Sequence, residues 1–144
     1  MPDPADALTI AVEPEPAEAV RAAVLAGLIA HNRRHAVPPG FQPLVLAARD
    51  AAGEIAGGLV GETGWEWLHV SLLWVAEPHR GTGLGRRLLH EGERSAAARG
   101  CRHAYLDTFD FQARPFYEQQ GYAVFGVQHD YPPGHRRYFM EKRL

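Results

Sequence analysis

One cysteine, Cys101, in 144 residues leaves no internal disulfide and no multi-cysteine zinc site, a usage that fits a reducing compartment. The thiol is left a packing role. Charge of one sign is also lacking, with 15 Lys and Arg against 17 Asp and Glu and a net charge of −2. No basic field is available for nucleic acid, and the acidic excess is too small for disorder. No window approaches the ~18 apolar residues of a membrane span. The opening Met1-Pro2-Asp3-Pro4-Ala5-Asp6 has neither the basic region nor the apolar run of an export signal. These absences predict a cytoplasmic protein with no nucleic-acid and no membrane partner. Repeats and low-complexity linkers are absent beyond residues 1–6, which are expected to be flexible. The 46% hydrophobic content supports one buried core, and the length is short for two ordinary domains. Residues 1–144 are therefore read as a single domain.

Apolar spacing predicts a short strand over Leu8–Val12 and, after Pro14 and Pro16, a helix from Ala17 to about Ala30 carrying Val20, Val24, Leu25, Leu28 and Ile29. His31–Pro43, with Pro38-Pro39-Gly40, is too rich in breakers for a regular element. Leu44–Arg49 and Glu54–Glu62 read as a hairpin, in which Gly57-Gly58 suggest a bulge or the close approach of another backbone. Trp65–Val75 reads as a strand stopped before Pro78. A helix from about Gly83 to Arg99 follows, with Leu84, Leu88, Leu89 and Ala96 as its buried stripe and Gly100 as its cap. Then come a strand over Arg102–Thr108, a short helix over Gln112–Gln120, and strands over Tyr122–Val127 and Arg137–Lys142.

The most informative stretch is Arg80-Gly81-Thr82-Gly83-Leu84-Gly85, at the junction of a strand and a helix. Bare backbone N–H groups at a helix start, with no side chains in the way, suit a phosphate ligand; a plain turn is the competing reading. Two phosphate motifs fail on spacing. A P-loop needs Lys and then Ser or Thr after its last glycine, where Arg86-Arg87 stand, and a dinucleotide fingerprint needs glycine at position 86.

Taken with the order of elements, Arg80, Gly83 and Gly85 resemble the phosphate corner of the GNAT superfamily of acyl-coenzyme A dependent N-acyltransferases. The approach Leu73-Trp74-Val75 and the downstream Ala113, Phe116-Tyr117-Glu118 and Gly121-Tyr122 are similar to further parts of that family. The resemblance is carried by Leu44–Leu144, and Leu8–Pro43 fits in order and length. It implies an α/β (α+β) fold: a mixed, mostly antiparallel sheet of about six to seven strands, splayed between strands four and five and flanked by three to four helices. It also implies acetyl-CoA as cosubstrate, with the backbone of Gly81, Thr82, Gly83, Leu84, Gly85 and Arg86 on the pyrophosphate and that of Leu73 and Val75 along the pantetheine arm. Arg80 belongs to the corner, and Arg86, Arg87 and Arg114 are candidates to supplement it. Asp110 stands where the family often has Asn, seven residues before the tyrosine, and puts that coenzyme contact in question.

Tyr117 occupies the family's position for a tyrosine near the coenzyme sulfur, where a phenol of pKa ~10 protonates a thiolate of pKa ~8.5. His69 is the candidate base for the acceptor ammonium; period-two alternation puts it on one face with Ser71, Leu73 and Val75 unless a bulge intervenes. Glu62, Asp107 and Asp110 are second-line bases. Acceptor recognition is expected from the loop His31–Phe41, from Trp65 and Trp67, and from Phe109-Asp110-Phe111 with His129-Asp130-Tyr131. His31 and His35 at i, i+4 lack a third ligand, and His90-Glu91 has no second histidine at the required offset, so no metal is expected. The expected activity is direct acetyl transfer to a primary amine of a small molecule or peptide, without an acyl-cysteine. A non-catalytic acyl-CoA-binding module is the alternative. An exposed sheet edge makes a homodimer a further expectation.

Overall fold

The computed structural model describes Met1, Asp3 and residues 7–144. The flexibility expected of residues 1–6 falls largely on positions 2 and 4–6, outside the described residues. The chain divides into two compact units, Met1–Pro38 and Pro39–Leu144.

In the first unit the predicted helix forms as α1 (Glu18–Asn32), with the Glu18 carboxylate in its first turn matched to the helix dipole. Val20, Val24 and Leu28 recur at i, i+4 and i+8, flanked by Leu25 and Ile29, yet no residue of α1 is buried. The predicted strand over Leu8–Val12 does not form. A strand exists only through its ladder, and these residues belong to none in the sheet.

The second unit is built on β1 (Gln42–Arg49), β2 (Ile55–Gly64), β3 (Trp67–Val75), α2 (Leu84–Ala98), β4 (His103–Phe109), α3 (Arg114–Gln119), β5 (Ala123–His129) and β6 (Arg136–Arg143). The six strands lie in the order β1-β2-β3-β4-β6-β5, antiparallel except for β3 and β4. With three α-helices among the described residues, this is the mixed architecture expected, with six strands because Leu8–Val12 is not one of them. The β2–β3 connection is tighter than the sequence suggests. Trp65 and Glu66 both take positive φ, forming a two-residue turn without glycine, so β2 runs on to Gly64 and β3 begins at Trp67.

The core lies between the sheet and α2, whose Leu88, Leu89, Gly92, Glu93 and Ala96 face inward. Leu59, Leu68, Leu89, Leu106 and Met140 are fully buried there, each contributing about 1.5–3 kcal/mol of transfer free energy. The close approach suggested by Gly57 is real: a Cβ there would stand 2.9 Å from the Trp74 carbonyl oxygen and 3.3 Å from Leu88. One buried carboxylate crosses this core. Glu93 on α2 accepts hydrogen bonds from the Tyr122 hydroxyl at 2.8 Å and from Lys142 Nζ at 2.9 and 3.1 Å. It ties the helix to the carboxyl-terminal strand, and these partners offset its desolvation. Burial, followed by the Glu93 charge and hydrogen bond, pushes the Tyr122 pKa far up. Gly100, at φ 91°, ends α2 as predicted, and Cys101 is buried beside it.

Candidate functional site

Strands β3 and β4 stay paired only from Trp67–Val70 against His103–Leu106. Beyond Val70, β3 keeps β2 on one side and, among the described residues, has no strand on the other. A bulge sits at the parting: Gly61 opposes Val70 while Val60 opposes Leu72, leaving Ser71 as the extra residue. Bulges re-aim a strand and reset its faces. The splay expected between strands four and five therefore falls between β3 and β4, the same two segments counted without Leu8–Val12. The bulge also corrects the placement of His69. Leu73 and Val75 share the α2 face with Val70, whereas His69 lies on the opposite face.

The glycine corner follows β3 directly. A 3-10 turn at Glu77–His79, with Pro78 in its first positions, leads to Arg80. Arg80 Nε donates to the Val75 carbonyl at 3.0 Å, and the Thr82 hydroxyl donates to the His79 carbonyl at 2.6 Å. Both side chains thus brace the corner. Gly81 and Gly83 adopt φ of 74° and 84°, the left-handed region where a Cβ is strained. Leu84 opens α2 and Arg87 N bonds back to the Gly83 carbonyl at 3.1 Å, so the first-turn N–H groups have no intrahelical acceptor. No protein atom lies within 4 Å of a Cβ built on Gly81, and one on Gly85 meets only Val75 and Phe116 at 3.7 Å. Open main-chain donors at a helix start fit a pyrophosphate.

Leu73, Trp74, Val75, Arg80, Gly85, Ala113, Phe116 and Tyr117 line one cavity of about 300 Å³ at the splay. A larger cavity, about 430 Å³ between β1 and α2, lies away from Tyr117, so size does not select the site; the convergence of corner, splay and phenol does. Tyr117 is buried on α3, its ring edge-on to Phe116 and Tyr122. Burial, and next the negative charge of Asp107, push its pKa up to about 12, so the phenol holds its proton at neutral pH. Arg86 and Arg87 are exposed at the start of α2. Arg114 is engaged elsewhere: it donates to Glu118 at 2.8 Å and lies 4.5 Å over the Tyr138 ring.

His69 stands in a second group, on the face turned away from α2. Its ring stacks on Tyr105 at 4.5 Å and 7°, beside Trp67 stacked on His103 at 4.5 Å. Glu62 is the register partner of His69 and has no ion pair among the described residues. Desolvation, then the Glu62 charge, raises the Tyr105 pKa. Asp107, one of the second-line bases, accepts from Arg137 Nε at 2.9 Å. Neither Tyr105 nor Arg137 was singled out from sequence; only the parallel and antiparallel registers bring them to His69 and Asp107. Asp110 is turned to the β5–β6 loop, accepting from His135 Nδ1 at 2.9 Å and the Arg136 N–H at 3.1 Å. Partial desolvation raises its pKa, but these bonds more than reverse that and hold it below the ordinary carboxylate value. His31 and His35 approach to 4.8 Å between rings, and no group of three potential metal ligands occurs among the described residues.

A splayed mixed sheet, a glycine corner with open main-chain donors beside the splay and a buried phenol next to it are the arrangement of an acyltransferase. The chain belongs to the acetyltransferase (GNAT) family, whose model matches residues 7–122. It is similar to the blasticidin-S acetyltransferase of Streptomyces morookaense, 47% identical over 72% of this chain and 79% of that protein. An acetyltransferase of Agrobacterium fabrum is 35% identical over 81% of this chain and 85% of its own length. Among solved structures, an acetyltransferase from Bacillus cereus superposes with a TM-score of 0.88 at 34% identity, covering 95% of this chain and 98% of its own.

Proposed function

We propose that this enzyme transfers the acetyl group of acetyl-CoA directly to a primary amine of a small molecule, with an antibiotic of the blasticidin S type as the first acceptor to test. The observation that carries the reading is the single cavity that joins Tyr117, the free stretch of β3 and the glycine corner. The thioester supplies the activated acyl group. The residues of the corner hold the pyrophosphate through the N–H groups from Gly81 to Arg86, helped by the dipole of α2. The edge of Leu73–Val75 turned away from β2, where Arg80 already holds the Val75 carbonyl, lines the pantetheine arm as an added strand would, and its N–H groups polarise the acyl carbonyl. The acceptor nitrogen then forms its bond to the carbonyl carbon as the carbon–sulfur bond breaks. Tyr117 gives its proton to the departing sulfur, and the proton that the nitrogen sheds as the amide forms passes through water to restore the phenol, leaving amide and free thiol.

The acceptor ammonium must first lose a proton. His69 is our candidate base, working through water from the far face of β3, with Glu62 alongside to attract the cation and Trp67 and Tyr105 to form its apolar wall. The acceptor assignment is supported by the 47% identity to an enzyme named for blasticidin S. The amine panel should therefore include blasticidin S, other amino antibiotics and peptides, with thiol release as the readout. The reading predicts turnover with at least one amine. Tight coenzyme A binding without turnover on any of them would overturn it in favour of a binding module.

A further inference from the structure

Tyr117 sits on α3, which is six residues long. A helix that short does not hold its own shape in water, so the place of the phenol is set by what tethers α3 at its two ends. At the amino end the buried Thr108 hydroxyl donates to Gln112 Oε1 at 3.2 Å and accepts from the Ala113 N–H at 3.4 Å. The Tyr117 N–H in turn bonds to the Ala113 carbonyl at 3.1 Å. At the carboxyl end Gly121, at φ 92°, turns the chain so that the Tyr122 N–H bonds back to the Tyr117 carbonyl at 3.0 Å. The two tyrosines then meet edge to face, with ring centroids 5.9 Å apart. Tyr122 is itself fixed. Its hydroxyl donates to Glu93 at 2.8 Å, and Lys142 Nζ, 2.9 Å from the same carboxylate, lies 5.6 Å from the centre of the Tyr122 ring. Of the two rings against Tyr117, Phe116 moves with α3, whereas Tyr122 is anchored to α2 and β6.

We infer that Tyr122 is a positioning residue for the acetyl transfer: anchored by Glu93 and Lys142, its ring holds the Tyr117 phenol in one orientation at the splay cavity. The inference rests on the reading of Tyr117 as the proton donor. Every residue in the tether lies within Pro39–Leu144. Buried ion pairs add little net stability over apolar residues of the same volume, so the network's contribution is the orientation it imposes on the Tyr122 ring. A phenylalanine at 122 fills the same space without that anchor. The ring is then free to rock, and the phenol packed on its edge spreads over several orientations. A donor spread in this way is within reach of the sulfur for a smaller share of the time, which lowers kcat. Coenzyme binding, assigned to the glycine corner, is left as it was.

The first variant is Tyr122→Phe. The second is Glu93→Gln, which keeps the size of the carboxylate, and circular dichroism checks that each is folded. Nuclear magnetic resonance on protein labelled with 13C at the hydroxyl-bearing carbon of tyrosine follows the phenol directly, the Tyr117 signal being the one that Tyr117→Phe removes. That signal should be single and narrow in the wild type and broadened or split in both variants. The spectrum needs no acceptor and so stands apart from the donor reading. With acetyl-CoA and blasticidin S, Tyr122→Phe should lower kcat about 10-fold and leave the coenzyme A dissociation constant unchanged. In the Tyr117→Phe background the same change should lower kcat by about twofold at most, because the group being positioned is gone. A residue that serves only the fold would lower kcat by the same factor in both backgrounds. Equal factors, or a Tyr117 signal that neither variant alters, would overturn the proposal. Wild-type kcat in Tyr117→Phe alone would overturn the donor reading and this inference with it, even with the Tyr117 signal altered in the variants.

Discussion

Leu59 and Val60 are neighbours on β2, yet Leu59 is fully buried against α2 while Val60, on the other face, is 40% exposed. The same strands make both faces by alternation, so the difference comes from what each face has been given to pack on. The α2 face holds the leucine core, the Glu93 tie and, at its splayed end, Tyr117 and the glycine corner. The opposite face carries the ring stacks of Trp67, His103, His69 and Tyr105, with Val45, Leu72 and Trp74 further along it. The candidate groups thus divide across the sheet: those proposed for the acyl donor lie on the α2 face, and those proposed for the acceptor on the opposite one.

That division is broken most severely from the covered side. Leu59→Ala or Leu106→Ala should cost about 2–5 kcal/mol in urea unfolding, because each leaves a cavity in a close-packed layer. Val60→Ala, at a half-exposed position, should cost well under this. Next in size is Tyr117→Phe, which keeps the ring in place and removes only the proton donor. It should lower kcat by about 100-fold and leave the coenzyme A dissociation constant unchanged, as calorimetry would show. Gly83→Ala forces a side chain into the left-handed region and should cost about 1–2 kcal/mol of stability while weakening coenzyme A binding.

The smallest effect concerns Asp110, whose hydrogen bonds hold its pKa below the ordinary value of 3.8. A depressed carboxylate stabilises the fold fully above its unfolded pKa and loses that contribution as pH falls through the lower, folded value. Asp110→Asn should therefore lower the thermal midpoint slightly at pH 7. The difference from wild type should shrink as pH falls below about 4.

Much of the covered face is legible in the sequence. The 3.6-residue stripe of α2, the glycines of the corner and Pro78 before it are local signals, and the structure places α2 and the corner within a residue or two of where they are read. What was not legible is non-local. The bulge at Ser71 shows only when β2 and β3 are paired, and it moves His69 to the face away from Leu73 and Val75. The partnership of His69 with Tyr105 depends on a parallel register, and that of Asp110 with His135 on a loop 25 residues away. Leu8–Val12 has the composition of a strand, but composition cannot supply the ladder. Trp65-Glu66 makes a tight turn without the glycine or asparagine that usually marks one.

The most direct test of the central claim is thiol release from acetyl-CoA with blasticidin S as acceptor, measured for the wild type and Tyr117→Phe beside calorimetric binding of coenzyme A. The account predicts turnover in the wild type, about 100-fold less in the variant and equal coenzyme binding in both. Equal turnover in the two proteins would remove Tyr117 from the chemistry, and failure of either to bind coenzyme A would contradict the assignment of the glycine corner.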